Sequence, residues 1–202
     1  MRIGLLFLVA SLALAACASS PPDNVGDACD IFKEKRSWYK ATHRTQKRWG
    51  LPKSIQLAII RAESGFDDDA RPERGRFLFI FPGKRPSSAR GYAQATDPTW
   101  DQYRRATGNR GADRDDFDDA ADFIGWYARE ANRRAGVRMN DAYGQYLAYH
   151  EGWGGYSRGT YRNNRWLRDK ASRVATTAEV YQRQLNRCEK KFRRGIPLVP
   201  FI

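Results

Sequence analysis

The sequence predicts a mainly α-helical single domain with one small β-hairpin inserted in it. Three observations carry that expectation. Leu167, Ala171, Val174, Ala178, Tyr181, Leu185, Cys188 and Phe192 recur at alternating spacings of four and three, the seam of a long amphipathic helix or a broken pair. Earlier helical stretches stop at Gly50, Gly65, Gly108 and Gly136. Only Arg76-Phe77-Leu78-Phe79-Ile80-Phe81, followed by Pro82-Gly83, reads as strand and turn. No repeat or second block of composition divides the 202 residues, a length that suits one core.

The first sixteen residues set Arg2 before an apolar run, Ile3 to Val9, that continues through Leu12 and Leu14 to small residues at Cys17. That is the layout of a secretory leader, and it is too short for a membrane span. Residues 18 to 28 are small, polar and proline-bearing, so 17–28 reads as a tether and 29–202 as the folded domain. From Asp30 to Trp49 there is neither proline nor glycine, and a first helix is expected there. Pro52 opens a second, with Ile55, Ala58, Ile59 and Ala62 as one apolar stripe. Asp97-Pro98 starts a third carrying Trp100 and Tyr103. The acidic run Asp113 to Asp119 leads into a fourth, and Asn140-Asp141 caps a fifth that runs to about His150.

Leu14-Ala15-Ala16-Cys17 resembles the lipobox of bacterial lipoproteins. The resemblance implies cleavage before Cys17 and lipid on it, and Ala18 in the next position implies the periplasmic face of the outer membrane. More than one acyl chain is needed for stable anchoring. With Cys17 so used, Cys29 and Cys188 remain as an even pair in an oxidising compartment, where a disulfide is expected, the alternative being two buried thiols.

Lys and Arg outnumber Asp and Glu by 36 to 23, a formal net charge of +13, so the chain attracts polyanions. Charge alone would suggest nucleic acid, but an exported chain meets wall polymers instead, and no nucleic-acid partner is expected.

The second helix delivers Glu63 to its last turn, where the exposed carbonyl end disfavours a negative charge. Burial beside Ile59 and Ala62 would act in the same direction. A carboxylic acid that holds its proton is what cleavage of a glycosidic bond requires.

Glu63-Ser64-Gly65-Phe66, then Gly91-Tyr92-Ala93-Gln94 with Pro98-Thr99, then Ala148-Tyr149-His150-Glu151-Gly152 resemble, in order, the three signatures of the soluble lytic transglycosylase family. Each block is short, but their order behind a lipoprotein leader is specific, and the likeness spans about Leu51 to Tyr181. It implies a lysozyme-like helical fold and cleavage of the MurNAc-GlcNAc β-1,4 bond of peptidoglycan without water, leaving 1,6-anhydroMurNAc ends. It makes Glu63 the general acid and base, Ser64 a local support, Gln94 a sugar contact and Tyr149 a wall beside the carboxyl.

Tyr92 and Ala93 stand where the family has Leu and Met, and His150 and Glu151 replace Asn and a small residue. The gap before Gln94 is longer, so the family's intervening serine falls on Ser87 or Ser88. Tyr181 resembles a family tyrosine, but the acidic residue expected just before it is not at the matching spacing.

Tyr92, His150 and Trp153 are further candidates for strand contact, Trp153 because it stands between glycines just after the third block. Trp100, Tyr103 and Tyr156 have rings that suit sugar faces or the core equally. Asp67, Asp68, Asp69, Asp118 and Asp119 could in principle supply a second carboxylate, although capping and solvated loops are their ordinary uses. Asp113 to Asp119 lacks the central glycine of a calcium loop, and His43 and His150 are isolated, so neither metal nor cofactor is expected. The expected partner is the glycan strand, met by a lipid-anchored monomer. Two alternatives stand beside this reading: a hydrolytic muramidase, which needs a second carboxylate, and a non-catalytic peptidoglycan-binding lipoprotein.

Overall fold

A computed structural model describes residues 20–193, apart from 75, 78–80 and 83–84. The expected leader, Cys17 and the start of the expected tether lie outside the described residues, as does the centre of the hairpin. Among the described residues seven α-helices follow one another: α1 (Ala28–Glu34), α2 (Arg36–Trp49), α3 (Lys53–Ser64), α4 (Asp97–Thr107), α5 (Phe117–Ala135), α6 (Ala142–Arg158) and α7 (Arg165–Arg193). Two short strands, β1 (Arg76–Phe77) and β2 (Phe81–Pro82), lie between α3 and α4 and pair antiparallel, Arg76 with Pro82 and Phe77 with Phe81. The run expected as one strand therefore supplies both paired strands, and Pro82 lies in the second of them rather than in a turn after it.

Three helix starts carry aspartate caps, Asp141 among them as expected. The Asp27 carboxylate accepts from the amides of Cys29 (2.7 Å) and Asp30 (3.3 Å), Asp116 from Asp119 (3.0 Å) and Asp141 from Gly144 (2.9 Å). One expected helix is two: Lys35 leaves the helical region at φ −106° and ψ 73°, so α1 turns onto α7 while α2 packs on α5. No glycine or proline marks that break.

Helix α3 is the centre of the molecule. Every residue from Lys53 to Ile60 is buried, not merely the expected stripe. Its polar side chains enter the core because partners meet them there. Gln56 donates to the carbonyls of Leu51 (2.8 Å) and Thr42 (3.1 Å), Ser54 to Gln182 (3.0 Å), and the Lys53 ammonium lies 2.9 Å from Glu189. Helix α7, one uninterrupted element, packs along α3, α6 and α1. Its buried residues are the eight of the predicted seam, Leu167 to Phe192.

Cys29 and Cys188 form a disulfide that joins α1 to α7. Residues 22–28, expected as tether, are docked. Pro22 is buried, Val25 packs on the core, Tyr181 donates to the Val25 carbonyl, and Gln184 exchanges hydrogen bonds with Ala28 N (2.9 Å) and Gly26 O (3.1 Å). Their apolar and backbone groups find partners on α7, which a composition-based reading of a polar segment does not reveal. No helix among the described residues is long and apolar enough to cross a membrane.

Candidate active site

Glu63 stands in the last turn of α3, and the turn behind it is tightly specified. Gly65 and Phe66 both take left-handed backbone, at φ 64° and 70°. For phenylalanine this is a strained conformation that needs support. Ser64 supplies it: its Oγ donates to Ile60 O (3.2 Å) and accepts from Phe66 N (3.2 Å). The fully buried Phe66 ring then stacks on Trp38 at 5.6 Å. Ser64 and Phe66 thus fix the chain direction on which Glu63 depends.

The second sequence block, Gly91 to Gln94, is a turn tied on both sides. Gly91 N donates to Ala70 O (3.0 Å) and Tyr92 N to Arg114 O (3.3 Å). At φ 73°, a Cβ on Gly91 would lie 2.2 Å from the Arg114 carbonyl oxygen, so no side chain fits. Gln94, also left-handed at φ 47°, spends its amide on the carbonyls of Ala70 (2.8 Å) and Gly91 (3.0 Å). Gln94 therefore braces the loop that follows Glu63, whatever its carbonyl oxygen contacts. Tyr92 does not meet the strand-contact expectation: it is 1% exposed, edge-on to Trp38 (5.6 Å) and Phe117 (5.3 Å). An aromatic ring following a glycine pinned at the surface of the 113–115 loop is turned inward.

The third block lies on α6. Tyr149 donates to the Ala93 carbonyl, which joins α6 to the second block. One turn earlier, Tyr146 donates to Glu63 Oε1 at 2.6 Å. Lys170, on α7, brings its ammonium to 4.0 Å from the same oxygen and 5.5 Å from the Tyr146 ring. The Glu63 side chain is 15% exposed, and among the described residues no hydrogen bond reaches its Oε2. Burial, with Glu63 second, holds both Tyr146 and Tyr149 far above the ordinary tyrosine range. Both hydroxyls therefore remain donors throughout the working pH range. Helix end, tyrosine and ammonium converge on one carboxyl group.

The other candidates fall around this centre in different ways. His150 is exposed, 3.4 Å from Glu151 and edge-on to Trp166 at 5.6 Å. Gly152 leaves the helical region (φ 71°, ψ 157°) and kinks α6 just beyond His150, close to the expected stop. Trp153 is half-buried, 4.9 Å from Tyr127, with the Arg134 guanidinium 4.8 Å from its ring. Tyr156 stacks on Tyr161 at 5.3 Å. Trp100 and Tyr103 are core residues, 4% and 0% exposed. Ser87 and Ser88 cap their own loop, accepting from Ala89 N (3.1 Å) and Asp97 N (3.0 Å).

Asp67 and Asp69 hold the loop after α3, Asp118 pairs with Arg44, and Asp119 accepts from Asn109 (2.9 Å) and Asp113 N (2.9 Å). Among the described residues no group of three His, Cys, Asp or Glu side chains could hold a metal ion.

Tyr146 and Lys170 escaped the reading of the sequence. Tyr146 could have been found from its spacing, since it lies one turn before Tyr149 on the same helix face. Lys170 could not, because only the packing of α7 on α3 and α6 brings it to Glu63.

A family model described as the transglycosylase SLT domain matches residues 5–188. No match to a curated protein is found.

Proposed function

The chain belongs to the transglycosylase SLT domain family and is a peptidoglycan lytic transglycosylase, and we propose that Glu63 alone performs both proton transfers of its reaction. The observation that carries this reading is the grip on one carboxyl oxygen, Tyr146 at 2.6 Å and Lys170 at 4.0 Å, which leaves Oε2 for chemistry.

In the first step Oε2 gives its proton to the glycosidic oxygen as the bond to C1 of N-acetylmuramic acid breaks. In the second, the C6 hydroxyl of that sugar attacks C1 while the carboxylate takes the hydroxyl proton. The ring closes as a 1,6-anhydro sugar, and Glu63 regains its starting state without water. Between the steps the carboxylate is charged, and the Tyr146 hydroxyl and the Lys170 ammonium face that charge.

A water-using route would need a second carboxylate poised across the sugar. Of the aspartates considered for it, Asp67, Asp69, Asp118 and Asp119 are held in loop hydrogen bonds and ion pairs, which favours the single-carboxyl route. Localisation belongs to the same proposal: a lipid on Cys17 anchors the monomer to the outer membrane facing the wall. The leader and the Cys29–Cys188 disulfide, suited to an oxidising compartment, support export.

Digestion of sacculi in ¹⁸O-labelled water tests the chemistry. Released fragments should carry 1,6-anhydro ends without label; labelled reducing ends would make the protein a hydrolase.

A further inference from the structure

Trp166 is the exposed large hydrophobic residue among the described residues, with 56% of its surface in solvent. It sits in the first turn of α7, one turn before Lys170, and Lys170 links it to the reacting carboxyl. The Lys170 ammonium is 5.4 Å from the Trp166 ring, 5.5 Å from the Tyr146 ring and 4.0 Å from Glu63 Oε1. His150 meets Trp166 edge-on at 5.6 Å, the two ring planes 62° apart. The centre of the Trp166 ring therefore lies no more than 9.4 Å from Glu63 Oε1, the most that legs of 5.4 and 4.0 Å can span.

An indole left half in water forgoes the stabilisation of burial, and its flat apolar face suits the C–H face of a pyranose. Lys170 and His150 hold the ring at the margin of the Glu63 site, within a span that one disaccharide covers.

We propose that Trp166 is a sugar-stacking subsite for the glycan strand, positioned by Lys170 and His150 next to the bond that Glu63 cleaves. The occupant is a ring of the same strand, so the proposal rests on the reading of Glu63 as the reacting group. Stacking of this kind acts alike on ground state and transition state, so its removal raises KM and leaves kcat nearly unchanged. A merely structural role would lower the melting temperature instead, and an exposed side chain has little such role to lose.

The test measures affinity for glycan strands stripped of stem peptides, in a Glu63→Gln background that holds substrate without turnover. Trp166→Ala in that background should bind about ten-fold more weakly, the size expected of one aromatic contact, while Trp166→Tyr keeps the flat face and stays within about three-fold. Unchanged binding by Trp166→Ala would overturn the proposal, as would equal losses from both variants. Should Glu63→Gln itself still cut strands, the acid–base assignment fails, an outcome read from products rather than from affinity.

Discussion

Tyr146 and Tyr149 lie one turn apart on α6 and divide two tasks, one hydroxyl on the Glu63 carboxyl and the other on the Ala93 carbonyl. The first task concerns the charge that develops during reaction. A hydrogen bond to a charged group contributes about 1.5 to 3 kcal/mol. Tyr146→Phe should therefore lower kcat about ten- to a hundred-fold with KM and melting temperature nearly unchanged, which steady-state kinetics on soluble strands will show. Tyr149→Phe loosens the turn that holds Gln94 and should lower thermal stability as well as turnover.

Glu63 and Tyr149 stood out as candidates in the sequence because they fall inside ordered motifs. Tyr146 and Lys170 were not, because nothing local distinguishes a tyrosine or lysine that packing brings to a carboxyl. Tyr92 sat in a motif yet faces the core, since the motif records the turn its backbone makes rather than a ligand contact.

Helices and turns were legible to the extent that their stop signals are local. Glycines ended α2, α3, α4 and α5 where expected, each in left-handed backbone. Helix α7 showed every buried residue in its spacing. The break at Lys35 left no trace, because tertiary packing of α1 on α7 dictates it. The same holds for the complete burial of α3, whose Lys53, Ser54 and Gln56 read as polar until their partners are seen.

Turn geometry yields its own prediction: Gly91→Ala forces a Cβ against the Arg114 carbonyl in left-handed backbone and should cost about 2 kcal/mol or more, measured by denaturant unfolding. Helix α2 also carries a proton-linked term. Burial first, then the Lys53 charge, lowers the His43 pKa below its ordinary 6.5. The unfolded chain then binds that proton more readily than the folded one, so the stability is intact above pH 6.5 and is lost as pH falls below it. Melting temperature should decline on that acid side, and His43→Gln should flatten the decline.

Two links to α7 close the described fold. The disulfide has a sequence separation of 159, and residues 22–28 dock on the same helix. Closing so long a loop stabilises by about 5 kcal/mol in the chain-entropy model, with measured values often lower. Reduction should lower the melting temperature by many degrees while leaving room-temperature cleavage intact, as a thermal scan with and without thiol will show. The pairing was legible from cysteine count and the leader, whereas the docked segment was not, since small polar residues read as tether whether or not a helix receives them.

What remains to be tested above all is the dependence of cleavage on one carboxyl group. The rate of strand cleavage by Glu63→Gln, in protein whose melting temperature matches the parent, should fall about 10²- to 10⁴-fold, the usual weight of general acid–base catalysis. Cleavage at the parent rate by that folded variant would place the chemistry on another residue.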